Sequence, residues 1–266
     1  MDTFFDERDE KLLDNDKYTF FVMKRVMGGE CALRLSDHEK LILCYTGRPY
    51  PVWVWTKDGA GPESTESAYR LLKENSLIRQ GQRYNVKYEL AEHLISRAAE
   101  DGHKLFIATN MFAYDCPEPV EPRMKADGGL HKCTENDLEE LASFIKLMAD
   151  ELNSDKKTPP EYLEDAVKFI AAGNTYFWKD ARGKSVASCK FNVNGSLASL
   201  SLVYTRKECR RKHYAQNLVY GVTLKAIEAG CLPMLYTDAD YAASNACYAR
   251  IGYTLRGKLC TVQAAE

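Results

Sequence analysis

A mixed α/β (α+β) fold in two parts follows from three features of the sequence, the second part built on a central, mostly antiparallel sheet flanked by helices. Beyond residue 130 the apolar residues recur first at helical spacing and then at strand spacing. A stretch rich in proline and glycine divides the chain near its middle. The first half mixes aromatic and β-branched runs with two helical stretches.

The dividing stretch, Asp115 to Gly129, reads DCPEPVEPRMKADGG. Proline stops regular pairing and glycine frees the backbone, so it predicts a linker or an irregular strand. A chain of 266 residues suits one large domain or two modest ones. The expected division is therefore an accessory domain over 1–120 and a second domain over 129–266.

In the second domain, Thr134-x-x-Asp137 resembles a capping box. It opens a helix whose apolar stripe is Leu138, Leu141, Ile145, Met148 and Leu152. Thr158-Pro-Pro-Glu161 starts another helix, with prolines where missing N–H groups do little harm. Its expected buried stripe is Leu163, Val167 and Ile170, and Gly173 is the expected C-cap. The period then changes. Thr175 to Lys179 and Val186 to Phe191 flank Asp-Ala-Arg-Gly as a hairpin. Asn194-Gly195 turns the chain into a long strand, Leu197 to Thr205. A helix from about Cys209 to Ala229, a strand Met234 to Thr237, a short helix capped by Ser244 and a last strand from Tyr253 complete the order.

The first half is less explicit. Tyr18 to Val26, Lys40 to Tyr45, Val52 to Thr56 and Lys104 to Thr109 read as strands. Ser64 to Glu74 and Leu90 to Asp101 read as helices, and Asp6 to Asp16 as a loose lead-in or a solvated helix. Trp53 and Trp55 alternate, which places both on one face of a strand, a packed core face before a stacking platform.

Composition narrows the function. Apolar content of 45% and charged content of 28% are ordinary for a globular chain. A net charge of −2 argues against a nucleic-acid partner. Nine cysteines, an odd number with no C-x-x-C spacing, argue against a disulfide framework or zinc site and for a reducing, cytoplasmic setting. The N-terminus has no basic segment followed by an apolar run, and no stretch approaches the ~20 apolar residues of a membrane span. The five histidines are scattered without H-x-x-x-H spacing, so no metal is expected.

The sharpest chemical feature is Val203 to Ala215, VYTRKECRRKHYA. Arg206, Lys207, Arg210, Arg211, Lys212 and His213 crowd the start of a helix, where the dipole disfavours cations. An anion would compensate them, and helix N–H groups with basic side chains suit a diphosphate. A solvated basic turn without a ligand and a nucleic-acid patch are the competing readings. Downstream, Asn245 and Tyr248 lie three apart, so they share a helix face. An amide and a phenol there can order a substrate and hold or deliver a proton. Tyr248 as a half-buried packing residue is the alternative.

These runs resemble the GNAT superfamily of N-acetyltransferases. Arg210 to Ala215 is similar to its Arg/Gln-x-x-Gly-x-Gly/Ala motif, and Ser244-Asn-x-x-Tyr-x-x-Ile-Gly-Tyr253 to its second C-terminal motif. The resemblance spans roughly Gly129 to Lys258. It departs at His213, where the family has glycine, and in the lack of a carboxylate on Leu197 to Thr205. The resemblance implies a GNAT-like sheet and acetyl-CoA as cosubstrate. Main-chain groups of Val203, Tyr204 and Thr205 would meet the pantetheine arm. Arg210 would take the motif's first place, and Arg211, Lys212, His213, Tyr214, Ala215 and Gln216 would cradle the diphosphate. Asn245 would contact cofactor or substrate, and Tyr248 would be the general acid. The base would be water, Glu208 or Asp238. The acceptor would be the primary amine of a small molecule or peptide. A homodimer stays open, as does a first domain that is a degenerate copy of the same fold. The alternative is a non-catalytic acyl-CoA-binding or sensing protein.

Overall fold

The computed structural model describes residues 1–152 and 156–265. The chain forms two compact units. The first holds Met1–Ala113, Tyr236–Tyr241 and the chain from Leu255 onward; the second holds Tyr114–Leu235 and Ala242–Thr254.

The first unit runs α1 (Glu7–Asn15), α2 (Phe21–Met27), β1 (Leu33–Ser36), β2 (Leu41–Tyr45), β3 (Val52–Thr56), α3 (Pro62–Glu74), β4 (Arg83–Val86), α4 (Tyr88–Glu100) and most of β5 (Leu105–Asp115). Its strands are ordered β1-β2-β3-β4, followed by β11 (Thr254–Ala264) from the end of the chain. β3 and β4 are parallel; the other pairs are antiparallel. One core face gathers Val52, Val54, Tyr69, Tyr84 and Leu90. The other gathers Leu13, Phe20, Ile42, Trp53 and Trp55, so the two tryptophans share a packed face.

The second unit runs β6 (Gly129–Lys132), α5 (Leu138–Glu151), α6 (Pro159–Ala171), β7 (Thr175–Lys179), β8 (Ser185–Asn194), β9 (Leu197–Thr205), α7 (Tyr214–Glu228), β10 (Leu232–Asp238) and α8 (Ala242–Arg250). Its strands are ordered β10-β9-β8-β7-β6. Only β9 and β10 are parallel. One sheet face packs on α5 through Leu141, Phe144, Phe177, Leu202 and Tyr204. Apart from β6, both units follow one order: two helices, three antiparallel strands, a helix, a strand parallel to the third, and a helix.

The units are not the contiguous stretches 1–120 and 129–266. The last strand pairs with β4, Cys260 opposite Val86 and Val262 opposite Tyr84, and this long-range ladder overrides the local punctuation. The proline-rich stretch is held, not loose. Met124 accepts from Asn217 at 2.9 Å, Asp127 from Tyr214 at 2.5 Å, and Val120 N–H donates to Ile251 at 3.0 Å. Gly252 is required there, because its φ is +97° and a Cβ would meet the Glu118 carbonyl at 2.6 Å.

Several local expectations are corrected. Tyr18 to Val26 is not a strand; α2 covers most of it, since a short apolar run fits either period until tertiary packing chooses. Of the two readings of Asp6 to Asp16 the solvated helix is the one found, capped by Asp6 and buried only at Asp9 and Leu13. On α6 the buried side chains are Tyr162 and Ala166, while Leu163 and Val167 are exposed. Leu152 is exposed at the end of α5. Ser244 lies inside α8 and does not cap it. The capping boxes at Thr134 and Thr158 are both present. Among the described residues, no helix is long and apolar enough to cross a membrane.

Candidate functional site

The site begins with an irregularity in β9. Ser188 pairs with Tyr204 and Lys190 with Ser201, so Leu202 and Val203 together oppose the single residue Cys189. This is a β-bulge, and it places Leu202 at φ +54°. A bulky residue in the left-handed region is strained and needs its surroundings to hold it. The buried Ser188 hydroxyl does so, donating to the Leu202 carbonyl at 3.0 Å. Beside it, the Ser201 Oγ is buried with no hydrogen-bond partner among the described residues.

The partner strand withdraws at the same place. β9 and β10 pair at Leu197–Leu232, Ala198–Pro233 and Ser199–Met234, and there the ladder stops. β9 itself runs on to Thr205, so Val203, Tyr204 and Thr205 lie beyond the paired stretch of that edge.

After Thr205 the helix starts later than the sequence suggests. A 3-10 turn covers Lys207–Cys209, a loop follows, and α7 begins at Tyr214. Arg210 to His213 thus precede the helix. Arg211 and His213 both have left-handed backbones, φ +62° and +63°. His213 is the N-cap, and its side chain makes no capping bond. The family's glycine stands at a position of positive φ, and His is among the few other residues enriched there. The first helical N–H groups, on Tyr214, Ala215 and Gln216, have no acceptor within a helix.

The cations divide into two sets. Arg206 bonds to Glu140 at 2.7 Å and lies over Phe144. Arg210 bonds to Glu151 at 2.5 Å and to the Thr205 carbonyl at 3.1 Å. These two brace the turn against α5, so they do not call for an external anion, contrary to the expectation from their number. Lys207, Arg211, Lys212 and His213 are exposed. On the other side of the helix start, the Tyr214 phenol is pushed up to about 12 by its bond to Asp127 and by burial. Asp127 is held below its usual range, first by that bond and then by the Ala181 N–H.

α8 supplies the remaining residues. Asn245 is half-buried, and its Oδ1 accepts from the Tyr114 hydroxyl at 3.4 Å. Tyr248 is buried and packs edge-on against Tyr253, ring centres 5.8 Å apart. Burial pushes its phenol far above the usual value, with Cys247 and Cys189 adding to the shift. Cys189 is the residue opposite the bulge. Neither expected base is built into the site: Glu208 is exposed and paired with Lys184 at 3.4 Å, and Asp238 is exposed. Cys247 is pushed up to about 11 by burial, and the Cys209 thiol is buried, so neither has the character of an activated nucleophile. The Asp6, Asp9 and His38 side chains gather in the first unit, but both His38 ring nitrogens face carboxylates, Asp9 at 2.8 Å and Asp2 at 2.9 Å.

A strand opening from its parallel neighbour beside a bulge, then a loop with left-handed turns into a helix, is a specific arrangement. Residues 181–262 match the family described as FR47-like protein. The fold is that of the GNAT acetyltransferases. A GNAT-family acetyltransferase from Colwellia psychrerythraea is 11% identical, TM-score 0.58, with 100% of this chain and 99% of that one covered. A GCN5-related N-acetyltransferase from Kribbella flavida is 13% identical, TM-score 0.58, covering 92% and 93%. A Drosophila protein reaches a TM-score of 0.66 at 12% identity, covering 96% and 89%. At such identities the likeness is one of fold. No curated protein matches by sequence. The bulge at Leu202 and Val203, and the Ser188 bond to it, had no signal in the sequence. A bulge is a mismatch between two strands, visible only once they are paired.

Proposed function

We propose that the second unit binds acyl-CoA and moves its acetyl or short acyl group to a primary amine of a small molecule or peptide. The observation that carries this is the opening of β9 from β10 past Ser199 and Met234, beside the bulge at Leu202 and Val203. The donors present suit the cosubstrate. Exposed Arg211 and Lys212, with the N–H groups that start α7, would hold the diphosphate. Val203, Tyr204 and Thr205 would offer main-chain groups to the pantetheine arm. When bound, acyl-CoA supplies an activated thioester carbonyl.

The chain's own contribution is positioning and polarisation. N–H groups at the bulge, fixed by the backbone, would stabilise negative charge developing on the carbonyl oxygen. Holding the amine beside that carbon removes much of the entropic barrier. Tyr248 would hydrogen-bond the sulfur as it leaves. Its raised phenol favours keeping the proton and lending the bond. Asn245, fixed by Tyr114, would orient the amide groups of the ligand. Water is the base this geometry favours. The nine free thiols support a cytoplasmic setting.

Among residues of β9 there is no carboxylate, and this favours a second reading, an acyl-CoA-binding sensor without turnover. Thiol release from acetyl-CoA across a panel of amines separates the two. Amine-dependent release, reduced by Tyr248→Phe, supports the transferase. Binding with no release on any amine supports the sensor.

The shared element order supports reading the first unit as a copy of the GNAT fold whose cleft is filled. All five residues of β3 are buried.

A further inference from the structure

We infer that Ser188 is a positioning residue for the thioester, acting through the bulge and not by touching the ligand; this rests on the acyl-CoA reading above. Ser188 sits on β8 with no exposed surface, directly beside the bulged stretch of β9. Its hydroxyl donates to the Leu202 carbonyl at 3.0 Å. Leu202 is the strained residue of the bulge, at φ +54°. In that region a leucine backbone is disfavoured, and the buried hydrogen bond helps to hold it there.

The bond also fixes direction. A peptide unit is planar, so the Leu202 carbonyl and the Val203 N–H on the same unit point opposite ways. Pinning the carbonyl toward β8 on the Ser188 side aims the Val203 N–H away from it. β10 has already left the ladder there, so no strand partner competes for that direction. Without the hydroxyl, Leu202 can relax toward negative φ, the peptide unit rotates, and the N–H loses its aim. Ser188 thus sets the electrostatics of the reaction from one strand away, while the loop at Arg211 to His213 sets affinity.

The probe is acetyl-CoA labelled with ¹³C at the carbonyl, observed by infrared difference spectroscopy on the full chain, with affinity measured in parallel. In the unaltered protein the carbonyl stretch moves down from its free position, as a hydrogen bond to the oxygen requires. Ser188→Ala is expected to abolish most of that shift with unchanged Kd. Ser188→Thr, which keeps the hydroxyl, retains the shift, and Ser188→Cys, a weak donor, gives an intermediate one. A purely structural serine would lower the melting temperature and leave the frequency where it was. A full shift in Ser188→Ala, or in Ser188→Cys should the alanine variant not fold, overturns the positioning role alone. Failure of the unaltered protein to bind acetyl-CoA overturns the acyl-CoA reading and this role with it.

Discussion

Two loops in this chain do the same geometric task with opposite chemistry. After β3 the chain passes through Lys57-Asp58-Gly59-Ala60-Gly61 into α3; after β9 it passes through Arg210-Arg211-Lys212-His213 into α7. Both place left-handed residues two apart, Gly59 and Gly61 at φ +67° and +78°, Arg211 and His213 at +62° and +63°. In both, the second of these is the helix N-cap. The first loop has the glycines of a phosphate loop but is flanked by Asp58 and Glu63. The second has the cations and lacks the glycines. The strands before them differ likewise: β3 is buried throughout and pairs in regular register, whereas β9 is bulged. Topology fixes the backbone path in each case. Charge and cleft decide whether a ligand can follow it.

The comparison can be broken first at the buried strand β3. Trp55 is buried and donates its indole N–H to Asp16 at 2.7 Å. Trp55→Ala should destabilise the protein by about 3–5 kcal/mol in denaturant unfolding. Acetyl-CoA affinity of the still-folded protein should stay as it was. A parallel loss of affinity would overturn the proposal that the first unit is a copy without a ligand.

Next comes Tyr248. Tyr248→Phe should lower the turnover number on the order of 10²-fold with little change in KM for acetyl-CoA. A rise in KM alone would reassign it to binding.

These residues mark where the sequence was readable. The capping box at Thr134, the helix start at Thr158 and the strand Leu197 to Thr205 all arise from neighbours within a few positions, and they are where they were expected. Arg206 and Arg210 were misread because Glu140 and Glu151 lie far away in the chain. Leu163 and Val167 follow helical spacing yet face outward, since periodicity finds a stripe without saying what covers it. Tyr18 to Val26 is too short for its period to choose helix over strand. The glycine loop after β3 was not singled out, because the acidic residues beside it leave no cationic signal like that of the second loop.

His213→Gly gives a smaller effect. It removes a side chain from a left-handed position while freeing the unfolded chain, so stability should change by no more than about 1 kcal/mol. Affinity for coenzyme A should rise severalfold. A fall would show that the imidazole itself contacts the ligand.

The smallest effect concerns acid. Asp127 is held below its usual range by Tyr214, so its contribution is present above the unfolded carboxylate value near ~3.9 and is lost as pH falls through the lowered value. Tyr214→Phe should flatten the decline of melting temperature below about pH 4 in acid scans. An unchanged decline would assign it to other carboxylates.

The central claim is that one unit, through one cationic loop, binds coenzyme A. Titration calorimetry with coenzyme A tests it most directly. One site per chain is expected, weakened about 100-fold by Arg211→Glu with Lys212→Glu, as two charge-assisted contacts would require, with little change in melting temperature because both side chains are exposed. Two sites per chain, or one whose affinity ignores that double reversal, would contradict the account.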